Sequence, residues 1–164
     1  MIIERSRLPV VFRGSIVDIE TTGISPWSDR VVTVGLVHGN VCEVFQRTDE
    51  SDMLEALSER LGSLPRPIFA FNKGFEESFL GLGVDCELQL RPYESLTEAI
   101  HISGICDPLG SGRQVPPEWR AYQIDRNKDH LERIVTHNRA DLRHELCLAI
   151  VRMSESSNGS IGVE

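Results

Sequence analysis

The chain reads as an α/β protein in which a mixed sheet with antiparallel hairpin strands is flanked by helices. Three observations carry that reading. Apolar, β-branched runs at Ser15 to Ile19 and Val31 to His38 mark strands. Leucines and isoleucines recur at helical spacing after Met53 and again after Asp129. Between those helical stretches, Pro67 to Phe71 is a short apolar run of strand character.

The first strand region takes in Val10-Val11-Phe12 and then Ser15 to Ile19. Ser25-Pro26-Trp27-Ser28-Asp29 supplies turn chemistry, and Val31 to His38 follows as a strand. Gly39-Asn40 is a hairpin signal, so Val41 to Gln46 is expected to fold back as a third antiparallel strand. Ser51-Asp52 caps a helix carrying Met53, Leu54, Leu57 and Leu61, which Gly62 stops. The strand Pro67 to Phe71 runs into Asn72-Lys73-Gly74 and a helix with Phe75, Phe79 and Leu80. Asp85 to Leu90 suggests a short extended piece. Ser95 to Ile102 is helical, with Ser95 and Glu98 spaced as a capping box. Asp107 to Pro117 is a loop rich in Gly and Pro. A long helix from about Asp129 to Met153 carries Leu131, Ile134, Val135, Leu142, Leu146, Ala149 and Ile150 as its apolar stripe. Residues 1–153 make one domain, and Ser154 to Glu164 is a polar tail expected to fray.

With 164 residues, 40% hydrophobic and 26% charged, the chain suits one globular core. No apolar run approaches the roughly 20 residues that span a bilayer, so no membrane partner is expected. Met1 to Arg7 has no apolar core of a secretory signal. Cys42, Cys86, Cys106 and Cys147 lack metal-type spacing and read as the reduced thiols of a cytoplasmic protein. A net charge of −8 argues against a general polyanion-binding surface, yet leaves room for an enzyme that grips a strand end locally. Arg120, Arg126, Lys128, Arg133 and Arg139 read as a solvated helix face or as a stripe that tracks phosphates.

Asp18-Ile19-Glu20-Thr21-Thr22-Gly23 is the most informative stretch. Side chains alternate along a strand, so Asp18 and Glu20 point the same way, with Cα atoms roughly 7 Å apart. Two carboxylates on one face repel unless they share a proton or a cation. A hard divalent cation with oxygen ligands resolves the conflict. A strand end with two solvated acids is the plainer account. A second acidic place is Phe71-Asn72-Lys73-Gly74-Phe75-Glu76-Glu77, where Glu76 and Glu77 also serve as partners of a helix N-terminus, worth roughly 0.3–1 kcal/mol. The third is His137-Asn138-Arg139-Ala140-Asp141, where helical spacing turns His137 and Asp141 to the same place. Histidine suits a general base because its ordinary pKa, near 6.5, lies close to working pH.

In this order, a strand Asp-x-Glu, an Asn-x-Gly-Phe-acid and a His-x-x-x-Asp in a late helix resemble the DEDD 3′–5′ exonuclease superfamily on the ribonuclease H-like fold. The likeness is nearest to the ribonuclease H-like exonuclease branch with Asp-Ile-Glu-Thr-Thr-Gly first and His-Asn-x-x-Asp last. It spans Phe12 to Met153. The resemblance implies a two-metal-ion hydrolysis of phosphodiester bonds at the 3′ ends of DNA or RNA, with Mg2+ or Mn2+ held by Asp18, Glu20 and Asp141. His137 matches the residue that orients or deprotonates the attacking water. Thr21, Thr22 and Gly23 match donors to the terminal nucleotide, and Asn72 touches the next phosphate. Glu76 falls where the family carries an aspartate and is one methylene longer, a shift on the order of 1.5 Å. The His137 to Asp141 spacing is that of the family's tyrosine subgroup, although the residue is the histidine of the other. Asp85 is a weaker extra acid. Phe75, Trp27 and Trp119 are aromatic candidates for strand contact, with packing in core or loop the simpler expectation. Two alternatives stand beside the exonuclease: a catalytically weak or inactive nucleic-acid-binding module of the same fold, and a phosphodiesterase of short oligonucleotides.

Overall fold

The structure, a computed structural model, describes residues 1–48, 53–92 and 94–158, with the backbone alone for 156–158. Its order is β1 (Ile2–Thr21), β2 (Val31–Gln46), α1 (Met53–Gly62), β3 (Ile68–Ala70), α2 (Lys73–Leu80), β4 (Cys86–Glu87), α3 (Leu96–Ala99), α4 (Val115–Asp125) and α5 (Lys128–Asn158). The strands lie side by side as β2-β1-β3-β4. β2 is antiparallel to β1, while β3 and β4 run parallel to it and to each other. This is the expected α/β class, a mixed sheet flanked by helices, consistent with a ribonuclease H-like architecture. The Ser51-Asp52 cap and the end of the C-terminal tail lie outside the described residues.

The expected hairpin at Gly39-Asn40 does not form. Gly39 takes a left-handed φ of 56°, but β2 continues straight past it. Val41 to Gln46 pairs with Ile2 to Arg7, the near half of the same long β1. The mismatch is absorbed by a bulge, because β1 advances from Arg7 to Ser15 while β2 advances only from His38 to Val41. The charged residues Glu4, Arg5 and Arg7 concealed this strand from an apolar search. They have a cross-strand reason: Arg5 lies opposite Glu43 and pairs with it. The buried Glu43 also binds Arg60 Nε at 3.1 Å and His38 Nε2 at 3.2 Å.

Alternation along β1 divides the core. Val17 and Ile19 face α1 and α2, packing with Met53, Leu57, Leu61 and Phe75. Ile16 faces the other way, toward Val135, Leu142 and Leu146 of α5. Asp18 and Glu20 share that second face, so the fold aims both acids at α5. Of the predicted α5 stripe only Ile150 is exposed; Leu148 is buried nearby. The helix also runs past Met153 to Asn158.

The loop expected as far as Pro117 ends sooner. A 3-10 turn at Gly112–Gln114 leads directly into α4, with proline in its first turn, where a missing N–H costs nothing. α4 buries Val115, Trp119 and Tyr122 against Val32, Leu131 and Ile134. The capping box of Ser95 and Glu98 is present, on an α3 that stops at Ala99. Asp85 to Leu90 does contain the short strand β4. All four cysteines are free thiols. No helix among the described residues is long and apolar enough to cross a membrane.

Candidate metal centre

Asp18 and Glu20 occupy the last residues of β1, both buried. Across from Asp18 in β2 stands Gly35, where a Cβ would collide with the Asn138 side chain and come within 2.7 Å of Leu142. That absence of a side chain lets α5 approach the sheet, and Asn138 Nδ2 then donates to Asp18 Oδ2 at 2.6 Å. One turn of helix carries three residues to the same spot. His137 is buried, and its Nδ1 meets Asp107 Oδ1 at 2.8 Å. Its Nε2 faces Glu20 Oε1 at 3.4 Å and Asp141 Oδ2 at 3.6 Å without forming a hydrogen bond to either.

Asp107 is ionised and holds the histidine. Burial pushes its pKa up, but hydrogen bonds from the Leu109 amide and the charge of His137 outweigh that and lower it. An ionised acceptor at Nδ1 keeps a proton on that nitrogen, and Nε2 is turned toward the acids. Glu20, His137 and Asp141 each present one ligand atom within 4.8 Å of the others.

More carboxylates crowd the same place. Glu76, in the first turn of α2, is 3% exposed and its Oε2 has no partner among the described residues. Its neighbour Glu77 has ordinary employment, accepting from the Val84 amide at 2.9 Å. Glu145, one turn beyond Asp141, is 1% exposed and neither oxygen has a partner among the described residues. Desolvation is the first cause of the raised pKa of Asp18, Glu20, Glu76, Asp141 and Glu145. Mutual repulsion adds to it, most from Glu145 on Asp18 and from Asp141 on Glu20. Glu76 is pushed to about 8 and Asp141 to about 6, the latter held down in part by His137.

Such a set is unstable as bare charge, since an uncompensated buried ion costs several kcal/mol. Protons or cations relieve it. The donor set, carboxylate oxygens with an imidazole beside them, fits a hard divalent cation such as Mg2+ or Mn2+. Of the residues expected as ligands, Glu20 and Asp141 converge directly, with His137 joining them. Asp18 is engaged by Asn138 at one oxygen.

The expected substrate contacts are distributed differently. Thr21 donates its hydroxyl to the Gly23 carbonyl, and Thr22 donates to Asp29 Oδ1 at 3.2 Å while accepting from the Arg30 amide. Both hydroxyls therefore brace the turn. At Gly23 a Cβ would strike the Asp29 carboxylate, which closes that turn by accepting from the Ser25 amide at 2.9 Å. Asn72 caps α2, its side chain accepting from the Phe75 amide at 3.1 Å. Asp85 lies away from the cluster, bound to Arg66 Nη1 at 2.6 Å and to the Ile68 amide at 2.8 Å.

Beside Glu20 opens a cleft of about 390 Å3 lined by Thr21, Gly23, Ile24, Phe75, Gly112, Arg113 and Pro116. Beyond the Thr22 turn lies a second, more polar cleft of about 350 Å3 with Arg30, Trp119, Arg120 and Gln123. Trp27, on the turn that follows Gly23, is 96% exposed, against the simpler expectation of packing, whereas Trp119 is core. Sequence reading missed Glu145, Asp107 and the bond made by Asn138. The chain matches no protein-family model and no curated protein sequence.

Proposed function

We propose that the chain is a metal-dependent 3′–5′ exonuclease acting on the 3′ ends of DNA or RNA. The observation that carries the reading is the convergence of the buried Glu20 and His137 with the half-buried Asp141 at the edge of an open cleft. Glu20 and Asp141 would hold Mg2+ or Mn2+, with Asp18 completing the set. Bound there, the cations supply an acidified water and offset the charge that develops on the phosphate and the departing 3′ oxygen.

The protein's own part is positioning and proton handling. Asp107 fixes the His137 ring so that Nε2, the free lone pair, takes a proton at the acid cluster. Asn138 holds one Asp18 oxygen in place. The braced Thr21 to Asp29 turn forms one wall of the cleft, and Phe75 and Ile24 give it apolar surface for a terminal base. Arg113 at the same cleft and Arg120 at the next are cations for the strand's phosphates. Trp27, exposed on the same turn, offers a stacking face. Free cysteines suit a reducing compartment, the cytoplasm.

One observation favours a second reading, a nucleic-acid-binding module with weak or no catalysis. Gly112 sits so close over the cluster that a Cβ there would lie 3.3 Å from Glu20 Oε2 and 3.8 Å from His137 Nε2. Backbone thus covers part of the approach. Hydrolysis of single-stranded DNA and RNA oligonucleotides with Mg2+, Mn2+ or chelator, wild type beside Asp18→Ala, separates the two. Products that shorten from the 3′ end and vanish with chelator or Asp18→Ala support the exonuclease. Binding without cleavage, indifferent to Asp18→Ala, supports the module.

A further inference from the structure

Backbone shuts the place where His137 faces Glu20. A Cβ on Gly112 would lie 3.3 Å from Glu20 Oε2 and 3.8 Å from His137 Nε2, and that nitrogen is buried with no hydrogen-bond partner among the described residues. A gap that one methyl group fills does not pass a phosphate group. A base at Nε2 must nevertheless come within hydrogen-bond reach of the water it deprotonates.

The covering segment, residues 110–114, lies between two fixed points. On one side Asp107 meets His137 Nδ1 at 2.8 Å and accepts from the Leu109 amide at 3.0 Å, while Leu109 packs with Val115 and Trp119. On the other side the buried Val115 opens α4. Between them every residue is exposed. The hydrogen bonds there are local: Gln114 N donates to Ser111 O at 2.9 Å, Arg113 N to Ser111 Oγ at 3.3 Å, and Val115 N to Gly112 O. Among the described residues, no side chain of the segment is bonded to the acids it covers. A stretch without buried side chains, held by local bonds, opens at little cost. Gly110 supplies the pivot. Its φ of 67° is left-handed, and a Cβ there would meet nothing within 4 Å, so glycine serves the backbone and not the space.

We propose that residues 110–114 are a strap that swings about Gly110, shutting the Glu20, His137 and Asp141 cluster in one position and opening it to substrate in the other. This rests on the reading of that cluster as the reacting centre. It also makes the backbone cover compatible with catalysis. Arg113, which lines the cleft beside Glu20, rides on the strap.

The test is acylation of the purified chain by diethyl pyrocarbonate, with the rate at each histidine followed by mass spectrometry. Wild-type His137 is expected to react far more slowly than the exposed His101. Gly110→Ala disfavours the left-handed, closed position and is expected to speed His137 roughly five- to thirtyfold while leaving His101 unchanged. Gly110→Asn, which tolerates that backbone, is expected to stay within about twofold of wild type. Gly39→Ala carries the same kind of penalty at a φ of 56°, with open space around it, and is expected to leave His137 protected. A wild-type His137 as reactive as His101, no change in Gly110→Ala, or equal acceleration in Gly39→Ala overturns the strap. Gated acylation without hydrolysis of any oligonucleotide sustains the strap and overturns the exonuclease; hydrolysis with ungated acylation does the reverse.

Discussion

Asn138 Nδ2 donates to Asp18 Oδ2 at 2.6 Å, joining positions 120 residues apart in the chain and fully inside the protein. The bond ties β1 to α5 and is possible because Gly35 carries no side chain between them. Gly35→Ala must displace Asn138 or Leu142, and overpacking of this kind costs roughly 1–3 kcal/mol. Urea unfolding is expected to show that loss. The gentler Asn138→Ala is expected to cost about 1 kcal/mol of stability but more than tenfold in hydrolysis. A variant equally active in Asp18 function would show that the bond is only packing.

Asp107 acts through His137. Asp107→Asn keeps the shape but loses the charge that holds the Nδ1 proton, and such partners are typically worth 10–100-fold. The expected outcome is a fall of that size in kcat, a melting temperature close to wild type, and a shifted pH profile. An unchanged pH profile would make Asp107 merely a loop anchor.

Without a bound cation, burial raises the carboxyl pKa values of Glu76 and Asp141. Glu76 moves from 4.5 to about 8 and Asp141 from 3.8 to about 6, so the folded state binds protons that the unfolded chain has released. Their stabilisation is therefore complete below the unfolded values, and is lost as pH rises to about 6 for Asp141 and about 8 for Glu76. Chelator-treated protein should lose stability between about pH 5 and pH 8, and the stabilisation given by Mn2+ should grow over that range. Stability that rises with pH in chelator would contradict the crowding of these acids.

Trp27 is exposed and Trp119 buried, which gives fluorescence two separable reporters. Trp27→Ala should leave the melting temperature within about 1 °C, since nothing packs on the ring. Stacking of a base on an aromatic face is worth about 1–3 kcal/mol, so the variant should bind single strands roughly five- to hundredfold more weakly. Quenching of wild-type emission by an oligonucleotide and its loss in Trp27→Ala is the direct readout.

Much of this was legible in the chain because periodicity reports burial. The alternation that paired Asp18 with Glu20, and the helical spacing that paired His137 with Asp141, both survive in three dimensions. Glu145 escaped because Arg143-His144-Glu145 looks like a solvated run, although its spacing from Asp141 is the same as that of Asp141 from His137. Asp107 lies in a loop, where no period exists to aim a side chain. The near half of β1 was hidden by charges that pair across the sheet, and α4 by prolines that a first helical turn tolerates. Thr21, Thr22 and Asn72 were visible as polar residues beside the site; their hydrogen bonds to turn and helix cap depend on local geometry that sequence alone does not display.

The most direct measurement is anomalous diffraction from crystals soaked in Mn2+. The account predicts a peak on the carboxylates of Glu20 and Asp141, with His137 beside it. Crystals without that peak, and with these carboxyl groups hydrogen-bonded to one another or to water, would contradict it.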